Sequence, residues 1–243
     1  MTSSATFRPH FDGPLSRVSD FQRRSRQHVS VSYNAGPSTL TSSLERSLLQ
    51  DLQRFEAPAS AGTGLKVLDV VAASVRHARP LRLLLEHEGL VLPLTVLPLQ
   101  RVVHAPLPLA QWNLLRWSAL KVLQVEPAYQ SVGDPLPDDA GHLAPLGAVL
   151  WALALNGARS ELLPEIAGPA AYRVAPTADF SALDLGAALA AAVVRLRREA
   201  APLALISTWP GLDRERAMRL LNGVYLQSGL IVSRSHPSVV RTR

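Results

Sequence analysis

The sequence predicts an α+β protein in which a small mixed helix/strand module precedes a mainly helical C-terminal domain. Three patterns predict it. Apolar residues recur at one-face helical spacing over 44–55 and 65–75. Short apolar runs separated by turn residues take over across 81–104. Helical spacing returns after residue 143 and ends on an apolar run at 230–232. A length of 243 residues suits one large domain or two small ones, with enough material for a core. The boundary falls at 128–142, where Asp134, Pro135, Pro137, Asp138 and Asp139 interrupt both periods. Four segments follow: a mostly disordered basic tail over 1–41, the α+β module over 42–127, the linker over 128–142, and the helical domain over 143–243.

Taken in order, residues 1–41 are rich in Ser, Arg, Pro and Gly and hold no sustained period. Phe7, Phe11, Leu15, Val18 and Phe21 are scattered apolar anchors, and Arg23-Arg24-Ser25-Arg26 is a basic patch. Ser42 and Glu45 make a capping box, and Leu44, Leu48, Leu52 and Phe55 follow on one helical face. In the next helix Leu65, Leu68, Ala72 and Val75 point inward and Lys66, Asp69 and His77 outward; Pro80 ends it. His87-Glu88-Gly89 is a hairpin turn between strands at 81–86 and 90–97. Pro93 and Pro98 cannot donate to a ladder, which places that second strand at an edge or a bulge. Further strands are predicted at 99–104 and 117–125, with a short helix at 110–115 between them. In the second half the pattern gives an apolar helix over 145–156 stopped by Gly157, a short helical piece over 160–166, and a strand over 171–174.

Composition narrows the chemistry. There is no cysteine, which excludes disulfides, zinc fingers and thiol catalysis. The longest apolar stretch, 143–155, is too short to span a bilayer and contains Pro145 and Gly147, and the first thirty residues lack an apolar signal core. These features predict a soluble, cytoplasmic protein. Arginine outnumbers lysine 23 to 2, which with abundant alanine and leucine points to a GC-rich bacterial genome. The net charge of +6 is concentrated at the two ends, a distribution compatible with nucleic-acid or acidic-protein contact.

No motif points to catalysis, a cofactor or a metal. In Glu86-His87-Glu88 an extended strand would put the acids on one face and the imidazole on the other, so the three do not converge; the segment reads as a solvated hairpin tip. The remaining histidines form no i,i+4 pair. His104, among apolar residues, reads as a hydrogen-bonded structural histidine. Asp134, Asp138 and Asp139 lack the alternating ligands of a calcium loop. Gly62-Thr63-Gly64 is not followed by Gly-Lys-Ser/Thr, as a phosphate loop requires.

The last quarter carries the one resemblance. Leu185, Leu189, Val193 and Leu196 mark a helix, 202–209 a short second helix, Pro210-Gly211 a turn, and 213–227 a third helix closed by Ser228-Gly229. In this order, and in Arg219-Leu220-Leu221, Val224-Tyr225 and Gly229-Leu230-Ile231-Val232, the segment resembles winged helix-turn-helix domains. The resemblance implies a third helix that in many members enters the major groove, and a wing running on through 233–240. Asn222 stands where an apolar residue is usual. With Ala217, Leu220, Leu221, Val224 and Ser228 inward, the wheel turns Glu215, Arg219, Asn222 and Leu226 outward. Arg219 and Asn222 are able base readers, whereas Glu215 repels phosphate and Leu226 has little role beside a duplex. Such a mixed face suits protein contact. Arg195 and Arg198 on the first helix, with small Ala187 and Ala191, suit a partner helix or an acidic patch. The expectation is therefore a non-enzymatic bacterial regulatory or adaptor protein with a protein partner. The alternatives are a DNA-binding transcriptional regulator and an enzyme whose site lies between the two halves.

Overall fold

The chain enters its first sheet through β1 (Ser16–Arg17), which pairs with the start of a later hairpin, and continues as α1 (Val18–Val29). The computed structural model describes residues 15–29, 47, 48, 50, 52, 66–112, 116–128 and 141–234. Within the segment expected as a disordered tail, residues 15–29 thus form a strand and a helix. Leu15 packs against the first core, and the Val18 N–H donates to the Gly89 carbonyl at 2.9 Å. The Ser42/Glu45 capping box, the glycine cluster at 62–64 and the acidic run at 134–139 lie outside the described residues. Leu48 and Leu52 are helical and buried in the first core.

After α2 (Val67–Arg76) come β2 (Leu81–His87), β3 (Leu90–Leu97), β4 (Val102–Ala105), α3 (Leu109–Trp112), a 3-10 turn (Trp117–Ala119) and β5 (Lys121–Pro127). The hairpin turns on Glu88 (φ 49°) and Gly89 (φ 80°), the paired positive φ values that match the twist of the flanking strands. Strand order is β5-β2-β3-β4 and then β6 (His142–Pro145), with every pairing antiparallel. β3 is therefore central, not an edge strand. Its Pro93 is tolerated because β1 pairs only with Leu90 and Val91 and β4 only from Thr95 onward, so neither needs a donor from Pro93. α2 is buried all round from Val67 to Ser74, including Asp69, which is 2% exposed. The expected outward position of Asp69 fails because this helix has no solvent face there.

β6 falls in the segment read as linker and start of the helical domain, yet it closes the first sheet against β4. It leads directly into α4 (Leu146–Asn156), which places Leu146, Val149, Leu150, Leu153 and Ala154 in the first core and Trp151 in the second. Gly157 ends α4 in an extended conformation, and a Cβ there would lie 2.3 Å from the Leu153 carbonyl. Residues 160–166 form no helix: a bend at Glu161 is followed by irregular backbone and a turn over 164–166. Pro164 removes a donor, and side chains from elsewhere take the segment's carbonyls.

The second sheet has the order β8-β7-β9, again antiparallel, from β7 (Ala171–Val174), β8 (Ala201–Pro202) and β9 (Leu230–Ser233). Around it pack α5 (Gly186–Arg198), α6 (Leu203–Ile206) and α7 (Arg214–Leu226). The Asp213 side chain caps α7 by accepting from the Arg216 N–H at 2.7 Å. At the other end the Ser228 N–H donates to Tyr225 and the Gly229 N–H to Val224, a Schellman closure. The left-handed residue is Ser228 (φ 57°), one position before the Gly229 expected from sequence. Gly229 is needed for space: a Cβ would meet Phe180 at 2.8 Å and Ala178 at 2.9 Å. The wing beyond 234 lies outside the described residues. Among the described residues no helix is long and apolar enough to cross a membrane.

Candidate functional site

The residues read as a contact face are distributed over two helices, and the structure gives them unlike surroundings. α7 buries Ala217, Leu220, Leu221, Asn222, Gly223 and Val224. Gly223 lies so close to α4 that a Cβ would stand 2.8 Å from the Trp151 ring. Asn222, expected to face outward, is fully buried. Its Oδ1 accepts from the Leu163 N–H at 2.9 Å and its Nδ2 donates to the Glu161 carbonyl at 2.8 Å. The physical reason is that α7 has two packing partners. The wheel allowed for one core, and α4 with the 157–167 segment supplies another.

Arg219 is drawn inward as well. Its Nη1 donates to the carbonyls of Leu155 at 3.0 Å and Gly157 at 2.8 Å, capping the C-terminus of α4. Its Nε and Nη2 meet Glu215 at 2.9 Å, one turn back along the same helix. Glu215 itself stays exposed, and Leu226 is half-buried between the two cores. Of the four α7 residues, only Glu215 therefore presents an open side chain.

The 157–167 segment is where the two halves meet. Arg159 donates to Asp69 at 2.7 Å, to the Glu161 carbonyl at 3.0 Å and to the Leu162 carbonyl at 2.6 Å. Burial pushes the Asp69 carboxyl above its ordinary range, and the Arg159 guanidinium pulls the other way without cancelling it. Arg76 pairs with Glu165 at 2.7 Å, Arg234 donates to the Glu165 and Ala167 carbonyls, and the Tyr172 O–H donates to Ile166 at 2.7 Å. The sequence carried one signal of this arrangement, an acid set among apolar residues in Val67-Leu68-Asp69-Val70-Val71.

α5 differs. Ala187, Ala191, Val194 and Arg198 form one exposed stripe opposite the buried Leu189, Ala192, Val193 and Leu196, and Val194 is 50% exposed. Arg195 pairs with Glu199 and lays its guanidinium 4.4 Å from the centre of the Trp209 ring. Arg198 has no partner among the described residues. Two of the three arginines, Arg195 and Arg219, are thus engaged within the molecule, and Arg198 is the open one.

His87 is buried at 6% exposure, with no partner for Nε2 among the described residues, so the hairpin is not solvated at that residue. Its burial follows from its place in the inward register of Leu81, Leu83 and Leu85. Among the described residues no group of three or more acids and histidines is placed to hold a metal. No protein-family model, curated protein or solved structure matches this chain.

Proposed function

We propose that the chain is a non-enzymatic bacterial regulatory or adaptor protein. Its winged-helix-like C-terminal domain acts through protein contacts, and the contact surface is the outward stripe of α5. Support for the winged-helix reading is the order α5, β8, α6, α7, β9, which is helix, strand, short helix, helix, strand. The observation that carries the functional reading is the burial of α7. A helix that enters a major groove must present its side chains to bases; here Asn222 and Arg219 are bound to the 155–163 backbone. The α5 stripe pairs an apolar centre, Val194, with a charged end, Arg198, the composition of a small contact surface with a polar rim.

The test compares the full-length protein with a Val194→Glu/Arg198→Glu variant in affinity capture from host lysate. The expected outcome is a protein retained by the parent and lost from the variant, which keeps its melting temperature. The reading fails if the pure protein instead binds duplex DNA with a log affinity falling by about 0.9 per phosphate neutralised against log salt, and the α5 variant captures what the parent does.

A further inference from the structure

A cleft of about 640 Å³ runs along the seam between the two halves. Its floor is one face of α4, where Ala148, Trp151, Ala152 and Leu155 follow at helical spacing. Ala152 packs against the first core and Trp151 belongs to the second, so the floor spans both. One wall comes from the first half and carries Arg116; the other precedes α5 and carries Asp184.

The floor is held in place before any ligand arrives. The Trp151 Nε1–H donates to the Asp184 carbonyl at 3.1 Å, its ring lies 6.3 Å from that of Phe180, and Gly223 backs it. A wall that is already ordered costs a ligand little in lost side-chain freedom. Asp184 is fixed too, because its Oδ1 accepts from the Gly186 N–H at 3.2 Å, which leaves Oδ2 for another donor. The volume falls within the range of about 300–1,000 Å³ common to small-molecule clefts, which concentrate at junctions of this kind.

The lining joins an apolar floor to the exposed guanidinium of Arg116 and the exposed carboxylate of Asp184, which fits a molecule with an apolar body and groups of both charges. We propose that this cleft binds a short free peptide with apolar side chains. Arg116 takes its terminal carboxylate, Asp184 its terminal ammonium, and the α4 face its side chains. Ser118 and Asn156, also in the lining, add hydrogen-bonding groups for the peptide backbone.

The test is calorimetry and intrinsic tryptophan fluorescence on the full chain with three probes. These are leucyl-leucine, its N-acetyl form, which keeps only the carboxylate as a protein C-terminus does, and its C-terminal amide, which keeps only the ammonium. The expected result is one-to-one binding of the free dipeptide, with each blocked form weaker by about tenfold or more. Arg116→Gln should erase the preference over the amide, and Asp184→Asn the preference over the acetylated form. Both positions are exposed, so neither change threatens the fold. Ala152→Trp should abolish binding of all three. The proposal is overturned by the absence of heat and fluorescence change at millimolar dipeptide, by equal binding of the three probes, or by preferences that survive both charge substitutions.

Discussion

Asp69 sits on a helix with no solvent face, and its ionised form depends on Arg159 at 2.7 Å. A carboxyl whose folded pKa lies above its ordinary 3.8 contributes stability that is complete below that value and is lost as pH rises through the folded one. Removing the guanidinium should enlarge this loss. Arg159→Met is expected to cost about 3–5 kcal/mol near neutral pH, because it strands a buried charge. The deficit should shrink in acid, where a protonated Asp69 needs no counter-charge. Urea unfolding of both proteins between about pH 4 and pH 7 measures it, and a deficit unchanged across that span would show that the pair is not what was lost. Three positions around α7 give a second check. Ser228→Gly should stabilise by about 1 kcal/mol, since φ 57° burdens a side chain. Gly229→Val should cost about 1–3 kcal/mol by overpacking against Phe180 and Ala178. Gly223→Ala sets a helix-propensity gain of about 1 kcal/mol against a Trp151 ring only 2.8 Å from the new Cβ. A large ring wedged between two helices has little room to yield, so the net effect should be destabilising. Chemical denaturation of the three variants should rank Ser228→Gly above the parent and the other two below it.

At the scale of elements, β1 covers the Leu90–Val91 end of β3, and Leu15 adds to the first core. Deleting residues 1–29 removes both and uncovers Val91, which is buried. A loss of about 2 kcal/mol would lower Tm by roughly 4–8 °C for a chain of this size, more than a mostly disordered tail over 1–41 would cost. Calorimetry decides it, and an unchanged Tm would mean that β1 adds nothing to the sheet. A two-residue strand is too short to show an alternating pattern, which is why β1 is invisible in the sequence. The 81–97 hairpin, α4 and α7 are legible because each is a sustained apolar or periodic run bounded by turn or capping residues. Periodicity failed where an element packs on more than one side. Asp69 and Asn222 were both placed outward by rules that assume a single buried face, and both are inside. For the candidate site, the same limit explains why Glu215 and Arg198 stand exposed as read, whereas Arg219 and Asn222 turn to backbone carbonyls that no local pattern reveals.

At the scale of the molecule, α4 decides whether there are two folding units or one. Its Leu146, Val149, Leu150 and Leu153 lie in the first core, Trp151 lies in the second, and Gly223 of α7 presses on that ring. The Asp69–Arg159 and Arg76–Glu165 pairs tie α2 to the segment that follows α4. A cut before residue 143, where the composition shift suggests a boundary, would expose four large aliphatic side chains. At about 1.5–3 kcal/mol each, they are worth roughly 6–12 kcal/mol. That is comparable with the whole net stability of an ordinary domain, about 5–15 kcal/mol. Residues 143–243 alone are therefore expected to lack a cooperative melt, while the full chain unfolds in one transition with coincident fluorescence and circular-dichroism curves. Trp151 and Trp209 report on the second core and Trp112 and Trp117 on the first, so tryptophan-to-phenylalanine variants let each half be followed separately. Two separate midpoints, or a fragment that melts sharply near the Tm of the full chain, would show that α4 belongs to the C-terminal half and only rests on the other. In that case the seam that forms the cleft would be free to open.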